Sequence, residues 1–283
     1  MKVSSCMQTD VACVAVPGTR EDVLMLMAEK QVNGLPVVKK GTKKLVGIVT
    51  RSDLLRKADE EQLAMLMNRD PVTLTAQSDL KTAVKTMLEK GYRRIPVVDG
   101  EDLVGLITVP DVLIKVIEGS ELFETKTISD FVTRRVTAVW DQTPLPLSYM
   151  IMDMAGQNSL VVLSSSGNVT GLVTVNDYIR LSEETVEDSI SKTHTGTEAA
   201  VEWGWTSKDF LVVTKKLLRM PNVPVGRVVT KNIISVTEVT SVAECIRVLK
   251  RNQIDQAPVL SATGSLVGMI EDRAFLGLAL DSL

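Results

Sequence analysis

Gly47-Ile48-Val49-Thr50-Arg51-Ser52-Asp53 closes one short apolar run and opens the next. The same frame returns as Gly105-Leu106-Ile107-Thr108-Val109-Pro110-Asp111 and as Gly171-Leu172-Val173-Thr174-Val175-Asn176-Asp177. Each copy follows a strand-like apolar run and precedes apolar residues at helical spacing. A fourth, altered copy is Gly268-Met269-Ile270-Glu271-Asp272-Arg273-Ala274, with Glu271 at the Thr position and Ala274 at the Asp position. Self-similarity at this period means that the rest of the chain is read as copies of one unit.

Working outward, each copy sits in the order strand, helix, strand, strand, helix. The second unit is the cleanest. Residues 72–74 read as its first strand, and Leu80, Ala83, Val84, Met87 and Leu88 mark one helical face. Gly91 stops that helix, and residues 95–98 and 103–107 form a hairpin across Asp99-Gly100. The first unit shows a strand at 11–16, Thr19 as a helix cap, and Val23, Leu26 and Met27 on one helical face. The third has a strand at 136–140 and a helix with Leu147, Met150, Ile151 and Met154 on one face. The fourth has a strand at 233–236 and a helix marked by Val242, Cys245, Ile246 and Leu249. The expected boundaries are 1–60, 61–122, 127–188 and 222–283, with 189–221 an insertion. The insertion holds His194, Trp203 and Trp205. Its segments 201–205 and 210–213 read equally as a hairpin or a helix edge.

Apolar residues make up 45% of the 283 and aromatics only 4%, so aliphatic side chains and Met must fill the core. A net charge of -3, with no basic half, argues against nucleic acid as a partner. Cys6, Cys13 and Cys245 form no CxxC pair and read as reduced thiols. Residues 1–6 lack the apolar core of a signal peptide, and no apolar run approaches the roughly 20 residues of a membrane helix. A soluble, cytoplasmic protein is expected. No Ser/His/Asp, Cys/His, P-loop or metal-ligand constellation occurs, so no enzyme activity and no metal are expected.

The strand entries Leu35-Pro36-Val37-Val38, Ile95-Pro96-Val97-Val98 and Ala257-Pro258-Val259-Leu260, taken with the Gly-x-x-Thr-x-x-Asp segments, resemble the CBS domain. Val161 replaces the Pro in the third unit. The resemblance covers the chain outside the insertion, and four such units look like the gamma subunit of AMP-activated kinase and small archaeal four-CBS proteins. It implies an α/β (α+β) fold in which four βαββα repeats pair as 1–2 and 3–4 into two Bateman modules, packed as a pseudosymmetric disc.

Thr-x-x-Asp at a helix start is also a capping box, and a single copy reads best as a cap. Recurrence at one position of one unit, the preceding Gly47, Gly105 and Gly171 on the strand where close approach is possible, and the joint loss of both polar groups in repeat 4 favour a site. The family resemblance gives Asp53, Asp111 and Asp177 a ribose to hold and places Thr50, Thr108 and Thr174 near phosphate. A carboxylate can accept from both hydroxyls of a cis diol. By the same resemblance Arg93 and Arg94 reach phosphate, with Arg94 the stronger candidate, whereas Arg134-Arg135 reads as a solvated pair. Pro36 and Pro96 border the clefts. The expected function is a regulatory sensor of an adenine nucleotide (AMP, ADP or ATP) acting on an unidentified partner protein. A homodimer is compatible with this. S-adenosylmethionine or another adenosyl ligand, or a scaffold with empty clefts, are the alternatives, and the Arg pair favours phosphate. Ala274 and Glu271 limit the expectation to three phosphorylated nucleotides per chain.

Overall fold

The computed structural model describes residues 1–57, 59–181, 183–190, 212–229 and 233–283. His194, Trp203, Trp205 and the 201–205 segment lie outside the described residues.

Repeat 1 contains β1 (Val14–Val16), α1 (Arg20–Glu29), β2 (Gly34–Lys39), β3 (Leu45–Thr50) and α2 (Arg51–Arg56). Thr19 starts α1 through a capping box with Asp22. Repeat 2 adds α3 (Leu63–Leu66), β4 (Asn68–Arg69), α4 (Leu80–Lys90), β5 (Arg94–Asp99), β6 (Asp102–Thr108) and α5 (Val109–Ile117). Gly91 ends α4 with φ 69°, a left-handed conformation that a side chain would disfavour. After α6 (Glu121–Thr125), repeat 3 runs through β7 (Ala138–Trp140), α7 (Leu145–Met154), β8 (Ser159–Leu163), β9 (Val169–Thr174) and α8 (Val175–Leu181). The insertion contributes an antiparallel ribbon of β10 (Glu183–Ile190) and β11 (Val212–Arg219). Its first strand thus begins ahead of the expected boundary at 188. Repeat 4 contains α9 (Val242–Arg251), β12 (Gln256–Leu260), β13 (Leu266–Glu271) and α10 (Leu276–Ser282).

Repeats 1 and 3 have the full expected order, with a parallel first strand and an antiparallel hairpin. In repeats 2 and 4 the expected first strands at 72–74 and 233–236 shrink to single parallel bridges, Leu74 to Val97 and Val236 to Val259. The chain before Leu74 is instead drawn to repeat 1, where β4 pairs with β3.

Main-chain bonds join the repeats as 1–2 and 3–4. Gln8 and Leu106 exchange N–H···O bonds of 2.8 and 2.9 Å, and Leu45 N donates to Glu101 O at 2.9 Å. Thr133 and Met269 exchange equivalent bonds of 2.8 and 2.9 Å. Between the modules, repeats 2 and 4 share one continuous apolar core that includes Val84, Val112, Ile246 and Phe275. Repeat 1 has a separate core, to which α3 adds Leu63 and Leu66, and the core of repeat 3 takes in Leu55 of α2 together with Val225 and Val229.

One helical face differs from expectation. α7 buries Leu145, Ser148 and Met152, while Met150 and Met154 are 56% and 84% exposed and Leu147 also faces out. Ser148 goes inside because its hydroxyl finds the Tyr178 hydroxyl at 2.8 Å and donates to Leu145 O at 2.7 Å, which removes the penalty of burying it. Leu88, expected on the buried face of α4, is likewise exposed.

Candidate functional site

The Thr-x-x-Asp segments start α2, α5 and α8; the first two close capping boxes, and in the third the Asp carboxylate likewise accepts from the Thr. Thr50 N and Oγ1 donate to Asp53 Oδ2 at 2.8 and 2.5 Å. Thr108 N and Oγ1 reach Asp111 Oδ2 at 3.1 and 2.5 Å, and Thr174 N and Oγ1 reach Asp177 Oδ2 at 2.9 Å each. One carboxylate oxygen of each Asp is therefore committed to its helix start.

The second oxygen distinguishes the copies. Asp53 Oδ1 accepts from the neutral amide of Asn68 in repeat 2, at 2.9 Å. Asp111 Oδ1 accepts from Gln8 Nε2 of repeat 1 at 3.0 Å and from Lys250 Nζ of repeat 4 at 3.3 Å. Asp177 Oδ1 accepts from Arg180 Nη2 at 3.1 Å. Among the described residues Asp53, only 9% exposed, is thus the one of the three whose second oxygen meets no cation. An incoming hydroxyl can share that oxygen, because each carboxylate oxygen has two lone pairs.

Asp53 lines a cavity of about 610 Å³ to which repeats 1 and 2 give most of the wall and repeats 3 and 4 add residues such as Thr174 and Asp255. Of the expected site residues, Thr50, Asp53, Arg93, Arg94, Pro96 and Thr174 line it together. Pro36, Gly47, Gly105, Thr108, Asp111, Gly171 and Asp177 do not. Asn33, Asn68, Tyr92, Asn158 and Asn176 line it without having been marked by the motifs. A signal for the module contacts existed: Met7-Gln8 and Met67-Asn68 recur 60 residues apart, and each dipeptide meets the Gly and the Asp of the opposite repeat.

The strand glycines serve this contact rather than ligand approach. A Cβ on Gly47 would lie 2.8 Å from Asn68 O and from Met67 Sδ. On Gly105 it would lie 2.9 Å from Gln8 O and from Met7 Sδ, and on Gly268 2.6 Å from Thr133 O. In all three the absent side chain admits the main chain of the paired repeat.

Arg93 and Arg94 go different ways. Arg93 reaches repeat 4, where its Nη2 donates to Asp272 Oδ1 and Oδ2 at 2.7 and 2.6 Å and its Nε lies 3.5 Å from Asp255 Oδ2. Arg93, expected at phosphate, is therefore held by two carboxylates at the cavity wall. Asp272, which fills neither polar position of the motif, does not line the cavity. It is 2% exposed in a 3-10 turn that precedes α10. Burial, with Asp255 nearby and against the pull of Arg93, pushes the Asp272 carboxyl up to about 6.

Arg94 reaches repeat 1. A Cβ on Gly34 would overlap Arg94 Nη1, and it would stand 3.0 Å from Arg94 Cζ and 3.2 Å from Thr50 Cγ2. The guanidinium therefore lies over Gly34, beside Thr50. Burial and the neighbouring Arg93 charge push it down to about 10, still cationic at neutral pH. Among the described residues no carboxylate forms an ion pair with it. A half-buried, poorly solvated cation that lines a cavity without an ion-pair partner suits an anion. Arg134 pairs with Glu238 at 2.6 Å on the exposed surface, as expected of a solvated pair.

The sequence model of the CBS domain matches residues 3–60, 62–118 and 225–281. The third unit is not matched, although β7, α7, β8, β9 and α8 follow the order of the others. The uncharacterized protein MJ1225 of Methanocaldococcus jannaschii is 24% identical over 279 residues, 91% of each chain. Its crystal structure, described as that of a proposed archaeal homolog of g-AMPK, superposes with a TM-score of 0.76 at 23% identity and covers 98% of this chain and 99% of that one. An uncharacterized conserved protein of Pyrococcus horikoshii, 27% identical, superposes with a TM-score of 0.63 over 99% of this chain and 100% of its own. The inosine-5′-monophosphate dehydrogenase of Thermoplasma acidophilum is 35% identical over 105 residues, 37% of this chain and 21% of that enzyme.

Proposed function

This chain belongs to the CBS-domain family, and on that premise we propose that it is a regulatory sensor of an adenine nucleotide (AMP, ADP or ATP) that acts on a partner protein. The observation that carries the reading is the Arg94 guanidinium, which lines the cavity with Thr50 and Asp53 and has no ion-pair partner among the described residues. In this reading the ribose hydroxyls donate to Asp53 Oδ1, sharing it with or displacing Asn68. The phosphate accepts from Arg94, and the apolar Pro71-Val72 and Pro96 wall takes the base. The cavity draws on both modules, so a ligand there favours one relative placement of the modules over others. A ligand with different affinity for the two placements shifts their populations. The protein is a binding protein rather than an enzyme in this account, and it works in the cytoplasm. Among the described residues no helix is long and apolar enough to cross a membrane.

Calorimetric titration with AMP, 2′-deoxy-AMP, adenosine and S-adenosylmethionine tests the reading. AMP is expected to bind tighter than both 2′-deoxy-AMP and adenosine. Tighter binding of S-adenosylmethionine would shift the ligand class, and no binding of any adenosyl compound would leave a ligand-free scaffold.

A further inference from the structure

We infer that Asp272 and Asp255 of repeat 4 are positioning residues for the ligand cavity of repeats 1 and 2, acting through Arg93 to present Arg94 to the ligand. This deepens the nucleotide reading above and rests on it.

The cluster is a closed circuit. Arg93 donates twice to the Asp272 carboxylate and lies 3.5 Å from that of Asp255. Asp272 N donates to Asp255 O at 3.0 Å, so the two acids are also tied through the main chain. Val109 N donates to Arg93 O at 3.0 Å, which fastens the same residue to the start of α5. With both its side chain and its main chain held, Arg93 fixes the entry to β5, and Arg94 is the first residue of that strand. Arg93, in the bend that enters the strand, is held toward repeat 4, while Arg94, one residue on, lies against Gly34 and Thr50 of repeat 1.

Charge follows the same division. Among the described residues Asp272 and Asp255 both pair with Arg93 and no carboxylate forms an ion pair with Arg94, which Asp255 attracts only at longer range, so Arg94 is the arginine of the two left to meet a ligand.

The fold itself does not ask for an acid at position 272. The residue after the motif Thr is Val109 in repeat 2, which is fully buried, and Val175 in repeat 3. An apolar side chain would pack there without the desolvation that a buried ion pair carries. Repeat 4 has lost the motif acid to Ala274 and carries a buried acid two residues earlier. That acid grips the repeat that supplies Arg94.

Two measurements on the full chain test this. The first compares AMP and adenosine affinities for the wild type, Asp272→Asn, Arg94→Ala and the double variant. Asp255→Asn, at a more exposed position, serves as the second variant should Asp272→Asn fold poorly. Asp272→Asn is expected to weaken AMP by about fivefold or more, to leave adenosine nearly unchanged, and to have no further effect once Arg94 is Ala. Equal weakening of AMP with and without Arg94, or no weakening in either acid variant, would overturn the inference. The second measurement needs no ligand: the rate at which phenylglyoxal modifies Arg94, read by mass spectrometry. It should rise in Asp272→Asn and in Asp255→Asn, and an unchanged rate in both would overturn the inference. Failure of the wild type to bind AMP would sink the nucleotide reading, and the arginine reactivity would still decide this one.

Discussion

Replacing Gly34 by Ala puts a methyl group where the Arg94 guanidinium lies. The Cβ would overlap Nη1 and sit 3.0 Å from Cζ. Gly34 does not have the positive φ that only glycine tolerates, and it begins β2 opposite Thr50. Ala is therefore compatible with the backbone there. The most obstructed group is the far end of a long side chain, which can swing away with little strain, and Thr50 Cγ2 at 3.2 Å need give by only a few tenths of an ångström. The fold should lose less than about 1 kcal/mol, but Arg94 leaves its place beside Thr50. A hydrogen bond to a charged group contributes about 1.5–3 kcal/mol, so AMP should weaken by roughly 10- to 150-fold. Adenosine has no phosphate to lose and should change little. Titration calorimetry of both ligands against the wild type and Gly34→Ala reads this directly, with urea unfolding as the stability control. Equal losses for AMP and adenosine would show that the methyl disturbs the cleft rather than Arg94. Unchanged AMP affinity would show that Arg94 does not meet phosphate.

Asp53→Asn should lower AMP affinity while narrowing the difference between AMP and 2′-deoxy-AMP; a difference that persists in full would remove Asp53 from the ribose. On α7, Met152→Ala should destabilise by about 2–5 kcal/mol in urea unfolding, whereas Met150→Ala should stay within about 0.5 kcal/mol; the reverse order would mean that the outward face has been misassigned. The Asp272 carboxyl is raised in the folded state, so its contribution to stability is fully present below the unfolded-chain value of 3.8 and is lost as pH rises through about 6. The wild type should therefore lose stability relative to Asp272→Asn between about pH 4 and pH 6, measured by denaturant titration, and parallel profiles for the two proteins would contradict the buried, proton-binding Asp272.

The repeat was legible because one segment recurs in phase, and the hairpins followed from it. The turn at Asp99-Gly100 and the helix stop at Gly91 stand where their chemistry places them. The first strands of repeats 2 and 4 keep only one bridge each to β5 and β12, and in repeat 2 the chain just before Leu74 is paired with β3 of repeat 1, which no local β propensity reveals. The α7 face misled because a helix rich in Leu and Met offers more than one apolar stripe. Ser148 chose the stripe only through Tyr178, thirty residues on.

The site was legible residue by residue and not as a place. Thr50, Asp53 and Arg94 were marked by motif, but nothing local says that Arg94 crosses from repeat 2 to repeat 1 over Gly34. The strand glycines showed that something approaches closely, and spacing within one repeat could not reveal that it is the paired repeat's own main chain. Arg93 and Asp272 lie 179 positions apart, and their pairing depends on how the modules pack.

The most direct test of the central claim is the crystal structure of the protein grown with AMP. The account predicts a nucleotide in the cavity of repeats 1 and 2, its ribose hydroxyls on Asp53 and its phosphate on Arg94. A nucleotide held beside Ala274 with that cavity empty, or one whose phosphate lies away from Arg94, would contradict it.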